Sequence, residues 1–162
     1  MSSPQDDVVR RSVAVADEAG TRALAASVAG LAGRRDVIAL KGPLGAGKTA
    51  FARGFIAGRG LDVEVPSPTF TLVQLYEAAD AVVYHFDLYR LERAEDAFEL
   101  GIEEAFAEGI SLIEWPDRLG PYLPRERLEV TLQPGARDTE RSIELAGFGA
   151  WSRRLGEAAL DA

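Results

Sequence analysis

The spacing of apolar positions changes several times along the chain, and each change predicts an element. From Arg11 to Ala16 polar and apolar residues alternate, with Val13 and Val15 on one side, the pattern of a strand. Past Asp17, whose short carboxylate suits a helix N-cap, Leu24, Val28 and Leu31 recur at i, i+4 and i+7 and predict a helix closed by Gly33. Asp36 to Leu40 is a short, partly β-branched apolar run suited to a strand covered on both faces. Phe51, Phe55 and Ile56 then return to helical spacing, and Gly60 can end that helix.

The second half reads more strand-rich. Thr69 to Glu77 and Ala81 to Phe86 are β-prone, and the short Ala78-Ala79-Asp80 link predicts an antiparallel hairpin. Residues 92–108 have helical spacing, Ile110 to Trp115 form another buried strand candidate, and Arg127 to Leu132 with Arg141 to Leu145 predict a late strand pair. A last helix is expected from about Trp151. Without repeats, low-complexity tracts or long linkers, the expected fold is a single α/β domain over residues 11–162, after a flexible N-terminus at 1–10. Its sheet should be mixed and mostly parallel, flanked by helices, with an antiparallel hairpin.

Between the buried strand and the second helix lies Gly42-Pro43-Leu44-Gly45-Ala46-Gly47-Lys48-Thr49, two glycines with four residues between them followed by Lys and a hydroxyl residue. Glycines let backbone N–H groups turn around an anion with no Cβ in the way. Lys48 adds positive charge, Thr49 a hydroxyl ligand for Mg²⁺, and the following helix points its positive N-terminal end at the phosphates. A plain glycine turn is the alternative; the complete match between strand and helix favours a P-loop NTPase-like domain.

Composition narrows the partners. A chain of 162 residues can bury roughly 70% of its unfolded surface as one domain, and its 47% hydrophobic and 27% charged residues are those of an ordinary soluble protein. No segment approaches the ~20 apolar residues of a membrane span. The polar, acidic start Met1-Ser2-Ser3-Pro4-Gln5-Asp6-Asp7 does not resemble a secretory signal, and the absence of cysteine suits a reducing cytosol, so a cytoplasmic location is expected. A net charge of −8 disfavours unaided nucleic-acid binding. Glu92, Glu95, Asp96, Glu99, Glu103, Glu104 and Glu108 crowd one segment, either a solvated face or a docking surface for a basic partner.

Hydrolysis needs acids to hold Mg²⁺ and orient water, and Asp87 and Glu114 each follow a mostly apolar strand, where carboxylates reach the ligand crevice of an open α/β sheet. Each alone reads equally well as a surface carboxylate. Val65-Pro66-Ser67-Pro68-Thr69-Phe70-Thr71 is a proline-stiffened loop with three hydroxyls, either a strand-entry turn or a loop that senses a terminal phosphate. The single histidine, His85, is poor metal-site material and reads as structural. Trp115 reads as packing, or as a stacking platform for a base or partner. Arg90 reads as a phosphate-facing cation or as half of an exposed ion pair.

These pieces resemble the TsaE (YjeE) ATPases of bacterial tRNA threonylcarbamoyladenosine synthesis. The resemblance rests on the glycine loop, Ser67-Pro68-Thr69-Phe70-Thr71-Leu72-Val73, His85-Phe86-Asp87-Leu88-Tyr89-Arg90-Leu91 and Ile113-Glu114-Trp115-Pro116 in that order, and it covers about residues 12–147. The glycine loop alone is widespread, whereas His85 through Arg90 and the Ile113-Glu114-Trp115 run are far more specific. The resemblance implies a Mg²⁺-dependent ATPase that works with TsaB and TsaD, meets tRNA only through that complex, and resets or licenses a threonylcarbamoyl transfer that it does not perform.

Carried over by position, the resemblance places ATP on Gly42, Pro43, Leu44, Gly45, Ala46, Gly47, Lys48, Thr49 and Ala50, with Thr69 and Thr71 as the switch-like loop and Thr21 near the nucleotide. Thr21 reads equally well as a first-turn capping residue. Thr49 and Glu114 would hold Mg²⁺, Lys48 the phosphates, and Asp87 the water, although the two acids could exchange roles. Pro43 stands where many relatives carry Asp, and Ala50 where they often carry Thr; neither change removes an anion-binding group. A small-molecule P-loop kinase and a nonhydrolytic nucleotide-sensing scaffold are the competing functions, although no arginine-rich lid or acceptor pocket is evident.

Overall fold

The computed structural model describes residues 8–68 and 70–160. One seven-stranded sheet organises them, in the order β1-β7-β6-β2-β5-β4-β3. The strands are β1 Val8–Val15, β2 Val37–Lys41, β3 Val73–Glu77, β4 Val82–Asp87, β5 Ile110–Glu114, β6 Arg127–Pro134 and β7 Arg141–Phe148. The helices are α1 Glu18–Ala29, α2 Lys48–Gly58, α3 Ile102–Glu108 and α4 Ala150–Glu157. The sheet is parallel through its middle, where β6, β2, β5 and β4 adjoin, and antiparallel towards both edges. The expected hairpin is the β3–β4 pair, closed by Ala78 N–H donating to the Ala81 carbonyl at 2.9 Å.

Period-two alternation in the buried strands divides the core in two. Ile38 and Leu40 of β2 and Leu112 of β5 join Leu24, Val28, Phe51 and Phe55 of α1 and α2 on one face, where Trp151 and Leu155 of α4 also pack. Val37, Phe86 and Ile113 face the other way, against Ile102 and Ala105 of α3 and against Leu119. Glycines permit the tight α1–α2 packing: a Cβ on Gly54 would lie 2.5 Å from the Arg22 backbone. No helix among the described residues is long and apolar enough to cross a membrane.

Several boundaries differ from the sequence reading. Residues 8–10, assigned above to a flexible N-terminus, are the first three of β1, paired with Ala146 to Phe148 of β7; residues 1–7 lie outside the described part. The first helix stops at Ala29 with Gly30 as its C-cap, earlier than Gly33. The strand expected from Thr69 begins only at Val73, because Leu72 takes a left-handed φ of 68° and its N–H closes a turn onto the Pro68 carbonyl. The helix expected over 92–108 is two pieces, a 3₁₀ segment Ala94–Leu100 and α3, broken by Gly101 at φ 81°.

Candidate functional site

β2 ends at the centre of the sheet, and the chain turns there through the glycine loop into α2. Gly42 has φ 138°, and a Cβ on it would fall 2.3 Å from the Leu132 carbonyl oxygen, so only glycine fits against β6. Gly47, with φ 109°, is the N-cap of α2 and offers no capping side chain, which leaves the first-turn N–H groups directed at whatever sits in the loop. Arg141, at the start of β7, braces this turn from outside: Nε donates to the Ala46 carbonyl at 3.1 Å and Nη2 to the Gly45 carbonyl at 3.3 Å.

Lys48 is the first residue of α2 and is 5% exposed. Its ammonium donates to the carbonyls of Gly42, at 2.5 Å, and Pro43, at 3.2 Å, and lies 4.1 Å from the centre of the Trp115 ring. Burial lowers its pKa below the usual 10.5, against the opposing pull of Glu114 and Asp87, which both favour the charged form. Trp115 adopts a left-handed φ of 60° directly after β5, which turns its indole from the strand line towards Lys48.

Both acids stand at carboxyl ends of neighbouring parallel strands, paired opposite each other in register. They belong to the sheet face that α2 covers, since Leu112 and Val83, two and four residues earlier on β5 and β4, pack there with α2. Glu114, 4% exposed, accepts the Thr49 hydroxyl through Oε2 at 3.1 Å and Oε1 at 3.3 Å, and Oε2 also lies 2.7 Å from Nε2 of His85. Asp87, 6% exposed, accepts the Tyr89 backbone N–H at 3.1 Å.

Lys48, Thr49, Asp87, Glu114 and Trp115 line one cleft of about 290 Å³ together with Leu44, Gly45, Gly47 and Ala50. A second cleft of about 220 Å³ shares Gly45, Gly47 and Ala50 with it and adds Ala46, Thr21 and Arg141.

The structure therefore brings most of the candidate residues together. Gly42 and Pro43 contribute the carbonyls that hold Lys48. Thr21 is buried in the wall of the second cleft, and the cap of α1 is Asp17, which accepts the Gly20 N–H at 3.0 Å. Ser67 reaches the first cleft. Thr71 does not: it is exposed, and its hydroxyl accepts a hydrogen bond from Gln74 at 3.0 Å. Thr69 lies outside the described residues. Arg90 is exposed, with its guanidinium 4.7 Å from the Phe70 ring centre and away from the cleft lining. Arg141, Arg53 and Glu18 border the clefts without any sequence motif marking them.

The donor set also bears on a metal. No group of three or more His, Cys, Asp or Glu side chains able to enclose a cation occurs among the described residues. One carboxylate beside one hydroxyl fits a hard cation that completes its shell with phosphate and water oxygens, as Mg²⁺ does.

The chain resembles known proteins over most of its length. The family model "Threonylcarbamoyl adenosine biosynthesis protein TsaE" matches residues 15–143. Proteins named tRNA threonylcarbamoyladenosine biosynthesis protein TsaE include one from Bacillus subtilis, 40% identical over 130 residues and covering 80% of each chain. Another, from Haemophilus influenzae, is 42% identical over 110 residues, covering 67% of this chain and 68% of the relative. The crystal structure of Bacillus subtilis YdiB superposes with a TM-score of 0.79 at 33% identity, covering 93% of this chain and 94% of that one.

Proposed function

The chain belongs to the TsaE family of threonylcarbamoyl adenosine biosynthesis proteins, and we propose that it is a Mg²⁺-dependent ATPase serving tRNA N6-threonylcarbamoyladenosine modification in the cytoplasm. The observation that carries this reading is the convergence, in one cleft, of an uncapped helix N-terminus, a buried ammonium, a hydroxyl and two carboxylates. The role in modification follows from the names of the relatives. TsaD and TsaB are the proposed partners, with tRNA met only through them, which accords with the net charge of −8.

The chemistry assigned to the chain's own groups is positioning and charge stabilisation. Lys48 exchanges the Gly42 and Pro43 carbonyls for phosphate oxygens. First-turn N–H groups of α2 hold the same phosphates, and Asp87 orients the attacking water and accepts its proton. Thr49 and Glu114 would hold Mg²⁺, which when bound neutralises charge on the transferring phosphoryl group.

The test measures phosphate release from ATP, alone and with TsaB and TsaD. Slow release alone and faster release with partners are expected, with Lys48→Ala and Glu114→Ala each lowering it on the order of a hundredfold. Hydrolysis unchanged in both variants would reject the site. Modified tRNA scored in parallel tests the pathway: turnover with no effect on that product would reject the role in modification while leaving the ATPase standing.

A further inference from the structure

His85 is the chain's only histidine and is fully buried in β4, two residues before Asp87, so both side chains leave the same face of the strand. Across on β5, Leu112 stands opposite His85 and Glu114 opposite Asp87. Glu114 reaches the histidine: Nε2 lies 2.7 Å from Oε2, the same oxygen that accepts the Thr49 hydroxyl. Asp87 has a separate donor in the Tyr89 N–H.

An ionised carboxylate only accepts hydrogen bonds, so the short contact requires the hydrogen on Nε2. The other ring nitrogen, Nδ1, is buried with no hydrogen-bond partner among the described residues. The imidazole's one hydrogen bond among them is therefore the contact with Glu114.

We propose that His85 is the positioning residue of Glu114: its Nε2–H fixes the carboxylate beside Thr49, in the orientation that receives the metal. The inference rests on the Mg²⁺-nucleotide reading above and adds to it a residue that touches neither nucleotide nor metal. Groups that orient a metal-binding carboxylate typically control affinity by roughly 10- to 100-fold.

One spectrum of the unaltered protein tests the geometry. Because the imidazole nitrogen-15 signals come from a single residue, hydrogen on Nε2 can be read directly; an Nε2 without hydrogen overturns the proposal. Calorimetric ATP titrations at graded Mg²⁺ and in EDTA test the consequence. His85→Leu should raise the Mg²⁺ concentration that gives half-maximal tightening about tenfold, with affinity in EDTA within about twofold of the parent. His85→Gln, whose amide nitrogen reaches the place of Nε2, should recover most of that loss. If His85→Leu does not fold, His85→Asn, whose shorter amide falls near the Nδ1 position, takes its place. An unshifted Mg²⁺ requirement, or a Gln variant no better than the one lacking the donor, overturns the positioning role. Glu114→Gln separates the two readings: if it leaves the requirement unmoved, Glu114 is not a metal residue and both readings fall, whereas a shift there with none at His85 rejects the histidine alone.

Discussion

Lys48 is one of only two lysines in the chain, the other being Lys41, so its titration can be followed by carbon-13 spectra of Cε-labelled lysine. Its ammonium is buried beside an indole and two carbonyls, and the cost of that burial exceeds the attraction of Glu114 and Asp87, which lowers its pKa below 10.5. The folded chain therefore holds this proton less tightly than the unfolded chain. The group costs stability at neutral pH, and the cost fades as pH rises through its folded value towards 10.5. One lysine signal should titrate below the ordinary value and move upward on addition of Mg²⁺-ATP, because phosphate charge favours the ammonium. Two signals at ordinary values, unmoved by nucleotide, would contradict the burial account. Lys48, Thr49, Asp87 and Glu114 were legible in the sequence because each stands at a fixed offset from a strand end or glycine motif. The indole over Lys48 and the Arg141 brace were not, since a left-handed residue at 115 and a contact 95 residues away in sequence arise only from the folded arrangement.

Among the elements, the glycine loop between β2 and α2 is under a close backbone constraint, and its glycines are not equivalent. A Cβ at Gly42 would meet the Leu132 carbonyl at 2.3 Å, whereas one at Gly45, at φ 80°, would find no atom within 4 Å. Gly45→Ala should cost about 1–2 kcal/mol, the left-handed backbone penalty alone. Gly42→Ala adds a collision with backbone to that penalty and should destabilise by clearly more, as read from urea unfolding midpoints; equal losses would contradict the packing described. The sequence predicted this loop and both its neighbours because an apolar strand, a glycine motif and a helical stripe agree locally. It did worse where one residue overrides a pattern: Gly101 breaks the segment expected as one helix over 92–108, and Leu72 delays β3 to Val73. β1 extends to Val8 because β7 offers it a partner across eight paired positions, and a partner strand is invisible in local spacing.

For the whole molecule, the sheet order sets the site at its middle. β2 delivers the loop, β5 and β4 on one side supply Glu114 and Asp87, and β6 and β7 on the other supply the Leu132 carbonyl and Arg141. A ligand bound across that crevice links both halves of the sheet and should stabilise the chain as a unit. With Mg²⁺-ATP at about 100 times its dissociation constant the gain is roughly 2.7 kcal/mol, a rise in thermal midpoint of about 5–11 °C for a domain of this size. Thermal scans check this, and Glu114→Ala should lose the part of the rise that depends on Mg²⁺.

The most direct measurement is calorimetric titration of the purified chain with ATP in the presence of Mg²⁺, beside Lys48→Ala. Saturable one-to-one binding by the parent chain, weakened at least about tenfold in the variant, is the expected result. A folded parent that takes up no nucleotide, or a Lys48→Ala chain that binds as tightly, would contradict the assignment of the glycine loop as a phosphate cradle.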